Sequence, residues 1–260
     1  MKIDVLQLLA TQRDLYAMPR GMDRFRAYIA AMTGGTDDLA LPLVSMNPMG
    51  KEHIAAMIDN LLNMDAESVA RAAAAEASER LPNIPGQISL GLVATDDGQG
   101  GWTNRYFTEM ALRFETAQLL RRGWAVVPLW TSEPWSPDCI REEVRASVYR
   151  SAFQQQHSQP QTLAAMMIQE GWTARFAGAA QPALEPDDLD YTRVVLEPHR
   201  AASDRPTVFA CLYGDEAARS VGYPPLGLSA RAGLALARVE ALAQPATPEE
   251  LLSACPKHDA

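Results

Sequence analysis

Ile88-Ser-Leu-Gly-Leu-Val-Ala-Thr95 is a compact apolar run that ends abruptly in Asp96-Asp97. A run of this length suits a strand buried on both faces, as in a parallel sheet. Working outward, Trp124-Ala-Val-Val-Pro-Leu-Trp-Thr-Ser132 ends in Glu133, and Val208-Phe-Ala-Cys-Leu-Tyr-Gly214 ends in Asp215-Glu216. A weaker run, Arg193-Val-Val-Leu196, ends in Glu197-Pro198-His199. Apolar runs that all end in acid predict parallel strands whose C-terminal ends share one edge. Open α/β folds place their binding crevices there.

The stretches between these runs have helical texture. Trp102, Tyr106, Met110, Phe114 and Ala117 form one stripe. Ser136-Pro137 reads as an N-cap with proline at N1, opening a helix whose inner face is Ile140, Val144 and Val148. Pro160 opens another, with Leu163, Met166 and Met167 facing inward, and residues 229–242 form a further helix. Thr247-Pro248-Glu249-Glu250 is a capping box, which accounts for its acids without a functional role. Strands alternating with helices predict an α/β fold, a small mainly parallel sheet flanked by helices and joined by right-handed crossovers.

The first 83 residues read as helical. Val5, Leu8, Leu9, Gln12, Leu15 and Tyr16 follow a 3.6-residue period with one polar break at Gln12, and Ile54, Met57, Ile58, Leu61 and Leu62 give a cleaner stripe. Asp65 to Leu81 is rich in alanine and suited to close packing. Pro82-Asn-Ile-Pro-Gly86 then breaks the chain. The expected organisation is an N-terminal helical subdomain over 1–83 and an α/β domain over 84–260, which are also compatible with one continuous globular unit.

Among the 260 residues, 47% are apolar and 21% charged, the profile of an ordinary globular protein. The formal net charge of -9 repels phosphate backbones, so nucleic acid is not an expected partner. Arg20, Arg24 and Arg26 cluster, but Asp23 stands among them. The N-terminus lacks a secretory pattern, and no apolar stretch approaches the ~20 residues of a membrane helix, so no membrane role is expected. Cys139, Cys211 and Cys255 are odd in number and far apart, which fits a reducing compartment, the cytoplasm, and gives no CxxC zinc site.

The candidate chemistry centres on Thr95-Asp-Asp-Gly-Gln-Gly-Gly-Trp-Thr-Asn-Arg-Tyr106, where glycines allow close approach of backbone to a ligand. The spacing is not that of a dinucleotide fingerprint. Asp96, Asp97 and Glu133 are the candidate catalytic carboxylates; Asn104, Arg105, Trp102 and Trp135 are candidates for orienting substrate. Glu197, His199 and Asp215 are candidate ligands for a divalent cation, Mg²⁺, Mn²⁺ or Zn²⁺. Each acidic pair is also explained singly as a helix-dipole complement, a lone histidine beside proline is commonly structural, and the recurrence at every run is what favours a site.

Ser45-Met-Asn-Pro-Met-Gly-Lys-Glu-His53 is a loop feeding a helix, whose amides and Lys51 suit an anion, although the upstream glycine of a P-loop is missing. Met46, Met49 and His53 there also suit a soft metal, although methionines at helical spacing are usually core. Cys139, three residues after Ser136, has acidic neighbours that disfavour a nucleophile. No HExxH, G-x-S-x-G or Walker motif occurs.

The expected function is a small-molecule enzyme, a metal-assisted hydrolase or lyase, acting on a neutral, zwitterionic or cationic substrate. The alternative is a non-catalytic ligand-binding or interaction protein whose N-terminal helices form a partner surface, including a homodimer.

Overall fold

The computed structural model describes residues 1–98 and 103–253. The chain divides into two compact units, and each is described by itself. The first comprises Met1–Leu112 and Thr116–Val148; the second comprises Arg113–Glu115 and the chain from Tyr149 onward. The first 83 residues therefore share a unit with the sheet.

The first unit holds a three-stranded parallel sheet in the order β1-β2-β3, with β1 at Lys2–Val5, β2 at Gln87–Thr95 and β3 at Trp124–Trp130. Helices α1 (Leu9–Ala17), α2 (Met22–Thr33), α3 (Glu52–Asn63) and α4 (Ala66–Arg80) lie between β1 and β2; α5 (Arg105–Phe114) and α6 (Ala117–Arg121) lie between β2 and β3. Helix α7 (Pro137–His157) follows and its C-terminal part belongs to the second unit. The α/β architecture expected from the sequence is the one observed.

β2 is buried from Leu90 to its end at Thr95, as a strand covered on both faces must be. Val93 of β2 pairs with Pro128 of β3. Thr131 N–H donates to Thr95 O and Gly123 O accepts from Ser89 N–H, so odd-numbered residues of β3 bond to β2. Pro128 turns its nitrogen away, where a missing N–H costs no ladder bond. Close packing on β2 depends on Gly91, since a Cβ there would lie 2.6 Å from Leu8 Cδ1. Helix α4 packs on β1 with Ala70, Ala73, Ala74 and Ala77 buried, as its alanine content suggested.

β1 is a strand that the sequence pattern concealed. The apolar period starting at Val5 predicted only helix, yet Lys2–Val5 pair with Gln87–Leu90. Beyond β1 the helical reading holds: Leu9, Gln12, Leu15 and Tyr16 are the buried face of α1. The backbone N–H groups of Leu8 and Leu9, which begin α1, both donate to Glu67 Oε1 at 2.7 and 2.9 Å.

The second unit is helical among its described residues: α8 (Leu163–Ala177), α9 (Pro186–Leu196), a 3₁₀ turn at Glu197–His199, α10 (Arg205–Tyr213), α11 (Asp215–Ser220), α12 (Ala232–Leu242) and α13 (Pro248–Ser253). Two expected strands are helices. Val208–Tyr213 belongs to α10, which is capped by Asp204 accepting from Thr207 N–H at 3.0 Å. Val208 through Tyr213 are all buried, so this helix shows no polar face and its composition reads like a buried strand. Arg193–Leu196 is the last turn of α9, which proline opens and Asp187 and Asp188 favour electrostatically in its first turn. Elsewhere the caps read from sequence are present: Glu250 N–H donates to Thr247 Oγ1 and Thr247 N–H to Glu250 Oε2. Among the described residues no helix is long and apolar enough to cross a membrane.

Candidate functional site

The C-terminal end of β2 carries a dense polar cluster around Asp96. Asp96 is 2% exposed. It accepts from Asn47 Nδ2 at 3.0 Å and from Gly98 N–H at 3.1 Å, lies 3.0 Å from His53 Nε2, and stands 3.3 Å from Thr131 Oγ1, whose single proton is nearer to Asp97. Burial pushes the Asp96 carboxyl up, but hydrogen bonds from His53, Asn47 and Gly98 outweigh it and hold it below its ordinary value.

An ionised Asp96 only accepts, so in the neutral ring Nε2 carries the proton and Nδ1 keeps its lone pair. The His53 side chain is 40% exposed, against 3% for Asp96. A buried carboxylate thus orients a half-open imidazole, the arrangement of a general base. Gly98 lies close by: a Cβ there would stand 3.3 Å from Asp96 Oδ1 and 3.5 Å from His53 Nε2.

The loop before α3 is fixed from several sides. Tyr16 Oη donates to Asn47 O at 2.6 Å, Met49 N–H donates to Asn47 Oδ1 at 3.0 Å, and Arg24 donates to Gly50 O at 2.9 Å. Burial, with the Asp96 charge as the next cause, raises the Tyr16 phenol well above its ordinary value and keeps it a donor. Thr95 Oγ1 bonds Ser45 Oγ at 3.0 Å, which ties the same loop to β2.

Gln12 completes the support. Its Nε2 donates to Leu92 O at 2.9 Å and its Oε1 accepts from Ala94 N–H at 2.8 Å. β1 pairs with β2 only as far as Leu90, and the last bond on that side is Leu6 N–H to Leu90 O. The Gln12 amide therefore takes the place of the next peptide of β1 and holds the end of β2 from which Asp96 emerges.

Asp97 belongs to a second cluster. It accepts from Ser132 N–H at 2.9 Å, from Thr131 Oγ1 at 3.0 Å and from Arg105 at 3.1 Å. Arg105 also donates to Glu109 at 2.9 Å, to Ser132 Oγ at 2.9 Å and to Glu133, and lies 5.2 Å from the Trp130 ring centre. Burial works against its charge, but Glu109 and Glu133 prevail and its pKa is raised. Arg105 is a clamp across the ends of β2 and β3, with four of its five N–H donors committed inside the protein.

Asp96, Asp97, Glu133 and Arg105 are thus brought together at the strand ends, in two adjoining networks. Asn104 accepts from Phe107 N–H at 3.1 Å and caps α5. Trp135 Nε1 donates to Trp130 O at 2.9 Å, turning the indole back on β3. Trp102 lies outside the described residues.

Glu197, His199 and Asp215 do not stand at strand ends, because the runs before them are helices. All three belong to the second unit. Glu197 pairs with Arg200 at 2.9 Å, and His199 closes the 3₁₀ turn. Asp215 Oδ1 accepts from the N–H groups of Leu226, Gly227 and Leu228 at 2.9–3.0 Å, while Oδ2 meets Arg219. Burial pushes its carboxyl up, but these backbone bonds bring it below its ordinary value, so Asp215 is a loop staple. Among the described residues, no group of three or more His, Cys, Asp or Glu is arranged to hold a metal ion. Cys139 is exposed and its Sγ lies 3.2 Å from Ser136 Oγ, at the helix start read from the sequence.

His53 and Asn47 were legible only as parts of the loop before α3, with His53 read there as a soft-metal donor. Tyr16 was read only as part of the apolar stripe of α1, and Thr131 and Ser132 only as the end of the run from Trp124. Comparison with known protein families, with curated proteins and with solved structures finds no match for this chain.

Proposed function

We propose that this chain is a small-molecule enzyme, a hydrolase or lyase, whose proton transfers run through His53 held by Asp96. The supporting observation is the Asp96–His53 pair: a buried, ionised carboxylate 3.0 Å from Nε2 of a half-exposed imidazole at the end of a parallel strand. In a hydrolase His53 Nδ1 takes the proton of an attacking water; in a lyase it takes the proton that is eliminated. Asp96 stabilises the imidazolium that forms and fixes the ring. Asp97, Glu133 and Arg105 tie the end of β2 to the end of β3 beside this pair. In the metal-assisted version a divalent ion would lower the pKa of the water before His53 takes its proton.

The test is a panel of hydrolysable esters, amides and phosphomonoesters, with substrates for β-elimination. It is run with wild type, His53→Gln and Asp96→Asn, each with chelator or with added Mg²⁺, Mn²⁺ or Zn²⁺. The expected result is one activity that falls by roughly 10²–10⁴-fold in both variants. Activity that survives in both removes His53 as the base. The second reading, a non-catalytic binding or interaction protein, draws on Arg105, four of whose five N–H donors go to the protein's own groups. It predicts that no activity in the panel depends on His53.

A further inference from the structure

The first unit contains a cavity of about 760 Å³ between the end of α1, the start of α2 and the start of α3. Its walls include Arg13, Tyr16, Arg20, Arg24, Lys51 and Glu52. The carboxylates at the strand ends pointed to neutral or cationic ligands, yet this cavity has the opposite sign, in a chain of net charge -9.

The charges are not equivalent. Arg13 is spent on Asp59, 2.6 Å away. Arg24 is only 7% exposed, and its guanidinium donates to Met18 O and Gly50 O. Among the described residues no carboxylate bonds it. A buried guanidinium that meets carbonyl dipoles and the Tyr16 ring, 5.5 Å away, but no carboxylate among the described residues retains a positive charge without a counter-ion, which an anion in the cavity would neutralise. Arg20 and Lys51 have exposed side chains with no bonding partner among the described residues, and both reach the same cavity. Against these three cations stands one carboxylate, Glu52, leaving a formal excess that matches a dianion.

We infer that this cavity binds a small molecule through a phosphate group. A volume of this size lies within the ~300–1,000 Å³ of small-molecule sites. Arg24 supplies a fixed fork with donors to spare, a geometry that matches phosphate oxygens. Ala17, Pro19, Ala55 and the Tyr16 ring provide an apolar wall for the rest of the molecule. The inference stands on the cavity alone and does not depend on what His53 does.

Titration calorimetry on the full chain tests it, with inorganic phosphate and glycerol phosphate as probes and citrate as the carboxylate comparator, all at matched ionic strength. Arg24 is left in place, since its backbone bonds support the fold. The variants are Arg20→Glu and Lys51→Glu, both at exposed positions, with Arg193→Glu in the second unit as control. Saturable binding of either phosphate probe, weakened about tenfold or more in both cavity variants and unchanged in the control, is expected. A tighter glycerol phosphate than inorganic phosphate identifies a phosphomonoester as the ligand; the reverse identifies the free anion. The inference is overturned if neither probe binds saturably, if citrate binds more tightly, or if both cavity variants keep wild-type affinity.

Discussion

Asp96 Oδ1 and His53 Nε2 meet at 3.0 Å across 43 residues of chain, one at the end of the central strand and the other in the first turn of α3. Asp96 is also the acceptor for Asn47 and Gly98, so three donor groups converge on one buried carboxylate. Asp96→Asn replaces one acceptor oxygen with a donor facing donors. The expected loss is about 1–3 kcal/mol of stability. It should appear as a lower urea midpoint at unchanged slope. An unchanged midpoint would mean that this network does not hold the loop before α3 to β2.

Gln12 offers an independent check on how β2 is held. Gln12→Leu keeps the side chain's bulk but leaves Leu92 O and Ala94 N–H without their partner in the core. Each orphaned group costs about 1–3 kcal/mol, so a loss above 2 kcal/mol is expected, where a leucine on an ordinary buried helix face would be neutral or better. Hydrogen exchange at the Ala94 amide should quicken with it. Slow exchange at Ala94 in the variant would contradict the account.

These two residues also show what the sequence could and could not disclose. Ile88–Thr95 and the run from Trp124 were recognisable because buried parallel strands are short, continuous and apolar, and the acid after each is where it was expected. Gln12 was visible as the one polar break in an apolar stripe, but a single chain does not say which backbone groups lie beneath it. Val208–Tyr213 misled because a helix buried on all sides loses its period; the informative marks were its ends, Asp204 with Pro206, and Gly214 with φ of +84°. Once that run is helical, Asp215 passes from strand end to loop staple. The dyad was hidden for another reason: its partner stands 43 residues away in the first turn of α3, and only the fold of the chain brings His53 to Asp96.

Helix packing in the second unit depends on a missing side chain. A Cβ on Gly171 of α8 would stand 2.3 Å from Ala237 O of α12. Intrinsic propensity favours Gly171→Ala by about 1 kcal/mol. Backbone has nowhere to retreat here, so overpacking by about 1–3 kcal/mol should prevail. The variant is expected to melt at a lower temperature than wild type. A stabilised Gly171→Ala protein would show that α8 and α12 do not approach this closely.

Glu170 sets the acid limit of the same unit. Its carboxylate accepts from Arg150 Nε at 2.7 Å and from Arg113. Burial pushes its pKa up, but the two guanidinium charges overcome this and bring it from 4.5 to about 2. A folded-state pKa below the unfolded one means that folding favours the ionised form. Its contribution is fully present above pH 4.5 and is lost as pH falls toward 2. On the scale of 1.36 kcal/mol per unit this is on the order of 3 kcal/mol. Glu170→Gln removes the titrating group, so stability measured between pH 5 and 2 should fall less steeply than in wild type. At pH 7 the same variant should be less stable by about 3–5 kcal/mol, because Arg113 and Arg150 keep their charges and lose the Glu170 carboxylate between them. Parallel pH profiles for the two proteins would assign the acid transition to other carboxylates.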